Sequence, residues 1–508
     1  MCGQPGALRS QWLDTLGESL MLLAGDIERA VHAVNPQTRI GICSAMWLTS
    51  GHDGVDLAAL SRRLAGQTRP FIRTIGAPYW AQEPYHVTWI TEYTRLQHSW
   101  LRKSCPEAEL LAEGDTYPHS RFHTSAAMLL SYKEWLMISG FPGLLCYAVG
   151  YLGRPGYEPG YVRRLSASLR RDDNLLKFCP ADYRTVGLRP LEEPYSFRHW
   201  PMPADPREAA KNWPNQPVSL KLLSRLGIPL TYDSEAGPVF LCGHGAASLS
   251  DVELNRALAG GAVLDAPAAG WLLQRGFDIG IRSIAPADTP HAERFGQDPL
   301  NGPNAGIILP PRASGKRTFH RLEPAPGARV ISQFTTGAGE PLFPGTTLYE
   351  NPAGQRFCIL PLDLPDLGAK GTLMLEYTRQ EQLTRCLAWV HRRPLPATVN
   401  GLADMHVLCR VSPAGDRLVV VVQNAHLDPA DSITLRLHPA IPVPAPGGQL
   451  TLACSYRTIG IHNLRFQQNR GRASDKGEPQ IRHIAVLETL FLHSILRRLT
   501  IEAHRGRL

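Results

Sequence analysis

The first 150 residues alternate between short apolar runs and helical patterns, and this alternation limits the folds open to the chain. The helical patterns, with apolar residues at spacings of three and four, lie at 10–34, 56–66, 90–103 and 124–140. The apolar runs lie at 39–47, 69–75, 108–113 and 143–153. Strands that alternate with helices favour a parallel sheet, either open or closed into a barrel.

The number of strands decides between a whole barrel and part of one. Four strands occur in this region, whereas a closed eight-fold barrel needs about 250 residues. The region also opens on a helix and not on a strand. We therefore predict the C-terminal half of a (β/α)8 barrel over 1–200, with probable strands five to eight. We expect the first half of the barrel to be supplied either by sequence in frame upstream of Met1 or by another chain.

Two further regions complete the predicted fold class, which is α/β plus β. Residues 154–215 are rich in Pro, Tyr and Trp and lack periodicity, apart from a possible strand at 185–191. Strand and helix patterns return from about 217, so we predict a flavodoxin-like doubly wound domain over 201–300. Alternating apolar residues with one helix at 379–393 predict a C-terminal β-sandwich-like domain over 301–508.

Composition excludes several classes of function. The net charge of +8 is a thin excess without the aromatic and basic motifs of a nucleic-acid-binding module. Ten cysteines occur without CxxC spacing, which predicts a reduced compartment and no disulfides. No export signal and no run of about 20 apolar residues is visible. We predict a cytoplasmic protein that binds neither nucleic acid nor membrane.

The segment EAELLAEGDTYPHSRFHTSA (107–126) concentrates ionisable residues where the third strand ends. Catalytic groups of parallel α/β barrels lie on the loops that follow the strands. Retaining glycosidases need two carboxylates from such positions, one of them the nucleophile. We predict Glu113 and Asp115 as the catalytic carboxylates. The alternative is a solvated polar rim, in which the same residues form an Asx-type turn before a helix.

Neighbouring residues suit binding of a sugar. We assign His119 and Arg121 to charge tuning and to hydrogen bonds with sugar hydroxyls. Aromatic rings on the barrel loops suit stacking on apolar sugar faces, and we select Tyr117, Trp80 and Tyr147 as substrate-binding residues. No cofactor and no metal is predicted.

Two other chemistries compete with this interpretation. His119 and His123, four residues apart, could bind a metal together with the two carboxylates, but Pro118 disfavours a shared helix face for both histidines. Cys242 ends a strand pattern and could be a nucleophile. A glycine turn before a helix explains that segment better.

The order of the parts resembles TIM-barrel retaining glycosidases of the bacterial β-galactosidase type with a trimerisation domain. The segment 226–277 resembles their flavodoxin-like middle domain, and AEGDTYPHSRFHTSA resembles a strand-seven segment of related proteins. TLYENPAGQRFCILPLDL resembles their C-terminal region. The resemblance implies that Glu113 is the nucleophile. It also implies an acid/base glutamate in an Asn-Glu pair after strand four, which this sequence lacks.

Two functions therefore stay open. The first is a retaining β-galactosidase-like hydrolase that acts on carbohydrate, with low activity when the chain is expressed alone from Met1. The second is a non-catalytic carbohydrate-binding or scaffolding protein that keeps the glycosidase architecture. The middle domain predicts self-association as a trimer or dimer.

Overall fold

A computed structural model describes most of the chain, and the chain divides into two compact units. The first comprises Met1–Asp172, Glu192–Pro217 and His244–Ser250, and the second comprises Asp173–Leu191, Val218–Gly243 and Asp251–Leu508. The described residues are 3–44, 51–79, 85–117, 123–141, 143–147, 159–211, 217–233, 237–310, 318–367, 373–402, 404–426, 432–437, 450–454, 465–467, 483–490 and 498–503.

The first unit contains a four-stranded parallel sheet whose strands lie side by side in chain order. The strands are β1 (Ile42–Cys43), β2 (Phe71–Thr74), β3 (Glu109–Asp115) and β4 (Leu144–Tyr147). The main helices are α1 (Ala7–Val34), α2 (Leu57–Ala65), α3 (Tyr85–Ser104), α4 (Ala126–Ile138) and α5 (Pro159–Phe178). A short 3-10 helix (Ser196–Arg198) and α6 (Pro206–Lys211) follow. This order is the one that consecutive β/α units produce.

Local sequence sets where these helices begin and end. The Asp56 side chain accepts hydrogen bonds from the N–H groups of Ala58 and Ala59, which caps α2, and Gly66 ends the helix with φ 55°. Ser125 caps α4 by accepting from the N–H of Met128 at 3.1 Å. Each cap satisfies backbone donors that have no partner inside the helix.

The two faces of the sheet differ in chemistry. One face carries apolar side chains such as Ile72 and Leu110, which are buried, and α3 and α4 pack on the sheet. The other face carries Arg73, Glu113 and Asp115, because alternate residues of a strand point to opposite sides. One face of the sheet is therefore apolar, whereas the opposite face mixes these ionisable groups with apolar side chains such as Leu111 and Leu145.

Helix α5 lies where the sequence predicts irregular structure, so that prediction is wrong. Its buried face includes Tyr161, Ser168 and Asp172, of which two are polar. Lys133 of α4 donates to Ser168 Oγ at 2.6 Å and to Asp172 Oδ2 at 2.5 Å. Apolar periodicity does not reveal a helix whose buried face is held by an ion pair.

The second unit is built around a mixed six-stranded sheet. Its order is β13 (Arg329–Val330), β16 (Thr347–Glu350), β17 (Arg356–Ile359), β8 (Gly261–Leu264), β7 (Val239–Leu241) and β6 (Arg189–Pro190). The last four strands are parallel to one another. Strand β16 pairs antiparallel with β17, and β13 pairs antiparallel with β16. The helices of this unit are α7 (Val218–Leu223), α8 (Asp251–Ala257), α9 (Ala266–Gln274), α10 (Leu364–Leu367), α11 (Tyr377–His391) and a 3-10 helix (Pro299–Asn304).

Two smaller antiparallel sheets are built from strands within residues 281–344. One contains β11 (Ile308–Leu309), β10 (Ala292–Phe295), β14 (Ser332–Thr335) and β15 (Pro341–Pro344). Another pairs β12 (His320–Pro324) with β9 (Ile281–Pro286). All of these strands are short, which is typical of β regions rich in turns.

The C-terminal region holds two sheets with a common core. One contains β18 (Ala397–Val399), β21 (Ser432–Leu437), β25 (Arg498–Ala503) and β23 (Arg465–Gln467). The other contains β22 (Leu450–Cys454), β24 (His483–Leu490), β20 (Arg417–Asn424), β19 (Met405–Val411) and β5 (Arg184–Thr185). Side chains of β18 and β21 pack in one buried cluster with those of β19 and β20. Two sheets that share a core form the β-rich region that the sequence predicts.

The coarse prediction of an α/β architecture with several sheets and a β-rich C-terminal region is confirmed. The half-barrel, the flavodoxin-like domain and the boundaries at 200 and 300 stay predictions. The six-stranded sheet takes strands from Arg189–Pro190 to Arg356–Ile359. None of the helices that the structure describes is both long and apolar enough to cross a membrane.

A buried carboxylate lies at the carboxyl end of β8. Asp265 caps α9, where its Oδ1 accepts hydrogen bonds from the N–H groups of Gly243 at 2.8 Å and Ala268 at 2.9 Å. The thiol of Cys242 donates to Oδ2 at 3.2 Å. Burial raises the pKa of Asp265 to about 7, with a further increase from the Asp363 charge, although the two N–H groups act against the shift.

We expect Asp265→Asn to stabilise the protein at neutral and higher pH. Since the pKa of Asp265 is raised from 3.8 to about 7 by folding, its contribution to stability is full below about pH 4 and is lost as the pH rises through about 7. Asparagine keeps the oxygen that accepts from the N–H groups of Gly243 and Ala268, and it cannot ionise, so the loss of stability with rising pH is removed. Urea unfolding at a series of pH values should show the free energy of unfolding of the variant rising relative to that of the natural chain. The slope of this difference should be at most about 1.4 kcal/mol per pH unit.

Asp56→Asn is the matched control, because Asp56 caps α2 in the same way but is exposed. Its pH series measures what replacing a capping carboxylate does at an exposed site, and the series for Asp265→Asn is compared with it. A natural chain that loses no stability relative to Asp265→Asn between pH 4 and pH 8 would contradict the assigned burial of this carboxylate.

Candidate active site

Glu113 lies near the carboxyl end of β3, and three donors surround its carboxylate. The Arg73 guanidinium of β2 pairs with Oε1. Oε2 accepts from the N–H of Gly76 at 3.1 Å and from the Tyr79 hydroxyl. Glu113 is only 7% exposed, so these donors offset the cost of burying its charge.

Tyr79 serves this site as a hydrogen-bond donor. Burial, followed by the hydrogen bond to Glu113, raises the pKa of the Tyr79 hydroxyl far above its usual value. The phenol therefore stays protonated over the whole physiological range. A protonated phenol beside a carboxylate fixes the direction of the hydrogen bond and the orientation of Glu113.

The loop after β2, residues 75–79, is held from three sides. Gln97 of α3 donates to the carbonyl of Ile75 at 2.7 Å, and Thr124 donates to the carbonyl of Pro78 at 3.0 Å. The Tyr132 hydroxyl of α4 donates to the carbonyl of Gly76. These buried side chains place the Gly76 N–H and Tyr79 against Glu113 before any ligand arrives.

Gly76 is required at its position by backbone conformation. Its φ of +136° is rarely adopted by L side chains, and a Cβ there would meet Thr94 Oγ1 at 2.7 Å. The absence of a side chain therefore lets the backbone N–H approach the carboxylate.

Asp115 forms the Asx-type turn that the alternative interpretation names. Its Oδ1 accepts from the N–H of Tyr117 at 2.8 Å. Asp115 is 8% exposed, however, so the charge is not solvated as a polar rim would require. It lies two residues from Glu113 on the same face of β3.

The structure describes four of the seven predicted site residues. Glu113 and Asp115 share one face of the sheet, and Tyr147 is the register partner of Asp115 on β4. Tyr117 is exposed at the end of the turn. Trp80, His119 and Arg121 lie outside the described residues.

Sequence reasoning missed the principal partner of Glu113. It assigned charge tuning to a histidine and an arginine of the same loop, whereas the described partner is Arg73 on the neighbouring strand. A basic residue inside the apolar run RPFIRTI was the available signal. Tyr79 is not among the aromatic residues that the sequence analysis selects.

The two competing chemistries involve residues that the structure describes only in part. No group of three or more His, Cys, Asp or Glu side chains there is arranged to hold a metal ion. His123 is half-buried, and His119 is not described. The Cys242 thiol is buried and donates to Asp265, next to Gly243 with φ +54°. This geometry fits a glycine turn with a buried thiol.

The comparisons with known proteins show distant likeness only. Neither a family model nor a curated protein matches the chain. Among solved structures it is similar to alpha-L-fucosidase isoenzyme 2 from Paenibacillus thiaminolyticus, with 12% identity and a TM-score of 0.48. The match covers 78% of this chain and 59% of that chain, so this chain spans less than two thirds of that enzyme's length. This degree of similarity identifies neither an activity nor a substrate.

We expect the coupling free energy between Arg73 and Glu113 to be far larger than that between Arg39 and Glu109, a more exposed pair at the start of the same strand. Arg73→Met leaves a buried carboxylate without its cation, which should cost roughly 3–5 kcal/mol. The double variant with Glu113→Gln should lose much less than the sum of the single changes. Urea unfolding of the four chains gives the coupling free energy.

The exposed pair between Arg39 and Glu109, 2.8 Å apart at the start of β3, is the matched control. Its coupling should be about 0.2–1 kcal/mol. Similar couplings for both pairs would show that Arg73 and Glu113 do not form a buried ion pair.

Proposed function

We propose that this protein is a retaining glycoside hydrolase of the β-galactosidase type, with Glu113 as nucleophile. The observation that carries the proposal is a carboxylate near the carboxyl end of a parallel strand, oriented by a cation from the next strand and by a phenol. The segment resembles a strand-seven segment of related uncharacterised proteins, and Glu113 falls at the place where retaining glycosidases of this type keep their nucleophile, which supports the proposal. Asp115, two residues further on the same face, is the fallback nucleophile.

The proposed reaction follows the double-displacement scheme of retaining enzymes. An oxygen of Glu113 attacks the anomeric carbon while the bond to the aglycone oxygen breaks, and a general acid gives that oxygen its proton. The glycosyl ester on Glu113 is then hydrolysed by water, which loses a proton to the same acid/base group. The general acid is not assigned to a residue.

The hydrogen bonds of Glu113 indicate which oxygen attacks. A carboxylate offers about four lone-pair positions. Among the described donors, Gly76 and Tyr79 both bind Oε2, whereas Arg73 alone binds Oε1. Oε1 keeps an available lone pair, so we assign it to the attack. Tyr79 and Arg73 act as positioning residues that fix the carboxylate plane.

Covalent trapping tests the nucleophile without the general acid. A dinitrophenyl 2-deoxy-2-fluoro-β-galactoside carries a leaving group that departs without protonation, and its fluorine slows hydrolysis of the ester. We expect one label per chain on a peptide that contains Glu113, detected by mass spectrometry. Glu113→Gln should remove the label, because an amide does not attack.

Glu109→Gln is the matched control, since Glu109 begins the same strand and pairs with exposed Arg39. It should leave labelling unchanged. A label on Asp115, or on any carboxylate other than Glu113, would remove Glu113 from the role. A folded chain that reacts with none of a panel of fluorinated glycosides would contradict the hydrolase proposal.

One observation favours a carbohydrate-binding protein without turnover as the second candidate. The chain also uses a buried Glu–Arg pair in a purely structural setting, where Glu293 pairs with Arg379 and both are almost fully buried. The Arg73–Glu113 pair is similar in chemistry, although it retains more exposure. Sugar-dependent thermal stabilisation without covalent labelling would support this candidate.

A further inference from the structure

Helix α5 carries a row of exposed cations. Arg163, Arg170 and Lys177 recur every seven residues, so they lie within about 40° of one another around the helix axis and span about 20 Å along it. All three side chains are exposed. The buried residues Tyr161 and Ser168 lie on the opposite side of the helix, which packs against α4. The row therefore points away from α4, and we call these three residues the α5 ridge.

The charges of the α5 ridge are available to a partner. Among the residues that the structure describes, none forms an ion pair or a hydrogen bond with the three side chains of the ridge. Other exposed arginines of the first unit are paired, as Arg39 is with Glu109 and Arg62 is with Glu107. Three neighbouring cations without a carboxylate partner are complementary to a surface that carries several negative charges.

A row of apolar side chains runs beside the ridge. Val162, Leu169 and Leu176 also recur every seven residues, and they are 46%, 62% and 37% exposed. Helical geometry places this row about 100° around the axis from the ridge. Ser166 and Asp173, both exposed, lie between the two rows. A flat partner can therefore contact the apolar row and the ends of the long cationic side chains together.

The combination of the two rows restricts the class of partner. A partner helix needs a seam of apolar residues at spacings of three and four, but Leu165 and Asp172, which complete such a seam, face α4. Single-stranded nucleic acid stacks its bases on aromatic rings, and none of the residues described as exposed on α5 is aromatic. Duplex nucleic acid binds cations and leaves the apolar row in water. A lipid surface engages both rows and needs neither a seam nor rings.

We propose that the α5 ridge and the apolar row beside it bind the surface of an anionic lipid bilayer. The helix lies flat on this surface, where the three cations contact lipid phosphates and carboxylates and the apolar row enters the headgroup layer. The ion pair between Lys133 and Asp172 keeps α5 packed on α4, so the helix binds without leaving the protein. This binding does not depend on whether Glu113 reacts.

The proposal differs from the expectation that the chain binds no membrane. That expectation rests on the lack of a long apolar run, which a segment needs in order to span a bilayer. A helix that lies on the surface needs only cations and a narrow apolar row on its exposed side.

Cosedimentation with vesicles tests the proposal. The natural chain should bind vesicles of equal parts of phosphatidylserine and phosphatidylcholine far more tightly than vesicles of phosphatidylcholine alone. Each cation at an anionic surface contributes about fivefold to the partition coefficient. The combined variant Arg163→Glu, Arg170→Glu and Lys177→Glu should therefore lower the partition coefficient by more than about 100-fold.

A second combined variant is the matched control. Arg207, Arg256 and Arg417 are exposed cations of α6, α8 and β20, and replacing all three by glutamate changes the net charge by the same amount. This control should lower the partition coefficient by less than about fivefold, because its charges lie outside the ridge. Thermal unfolding of both variants should match that of the natural chain, since all six substituted side chains are exposed.

Two single substitutions test the space between the rows and the apolar row itself. Asp173→Asn removes the carboxylate between the rows and should raise the partition coefficient about fivefold. Leu169→Ser should weaken binding most at high salt concentration, where the charges are screened and the apolar contact remains. Val252→Ser, which changes an exposed apolar residue of α8, should have no effect.

Three results would overturn the proposal. The first is equal binding of the natural chain to neutral and anionic vesicles, and the second is an equal loss of binding in the ridge variant and its control. The third is a natural chain that binds polyglutamate or duplex DNA but not the anionic vesicles at the same ionic strength, since the ridge would then serve another polyanion.

Discussion

The arrangement of the first unit depends on one contact, the ion pair between Arg73 and Glu113 across β2 and β3. A carboxylate this buried is stable only when donors surround it, so neighbouring segments must supply them. The cation comes from the adjacent strand, and the remaining donors come from the loop that follows it. That loop is fixed in turn by Gln97 of α3 and Tyr132 of α4. One buried charge thus orders a strand pair, a loop and two helices, which gives the site its rigidity.

The same requirement explains why α3 is polar although it is buried on nearly all sides. Its buried residues include Thr94 and Gln97 as well as Ile90 and Leu96. Gln97 holds the carbonyl of Ile75, and Thr94 lies against Gly76 and the Tyr132 hydroxyl. Buried polar side chains need partners: Gln97 finds one in the backbone of the site loop, and the Thr94 hydroxyl donates to the carbonyl of Ile90 in its own helix. Stability of the helix and placement of the loop therefore have a common origin.

Much of the local structure could be predicted from the sequence, because apolar periodicity is a direct consequence of burial. The pattern at 56–66 corresponds to Leu57–Ala65, and the run at 108–113 corresponds to Glu109–Asp115. Helix Pro159–Phe178 was not predicted, because part of its buried face is polar and consists of a serine and an ion-paired aspartate. Glu113 was found because strand ends are recognisable in sequence, but its partners were not. The cationic partner of Glu113 lies on the neighbouring strand, and the local sequence around Glu113 does not specify how the two strands are aligned.

Burial of an apolar stripe also depends on what the rest of the molecule offers. The α1 pattern predicts one apolar face, and the structure divides it between a buried part around Leu13 and an exposed part around Leu23. Ala24 packs in one cluster with Leu60 and Leu64 of α2, and Gly17 leaves no room for a side chain beside the carbonyl of Gly54 in the loop before α2. Small residues thus decide which side of α1 meets the unit, and the larger side chains are left facing outward.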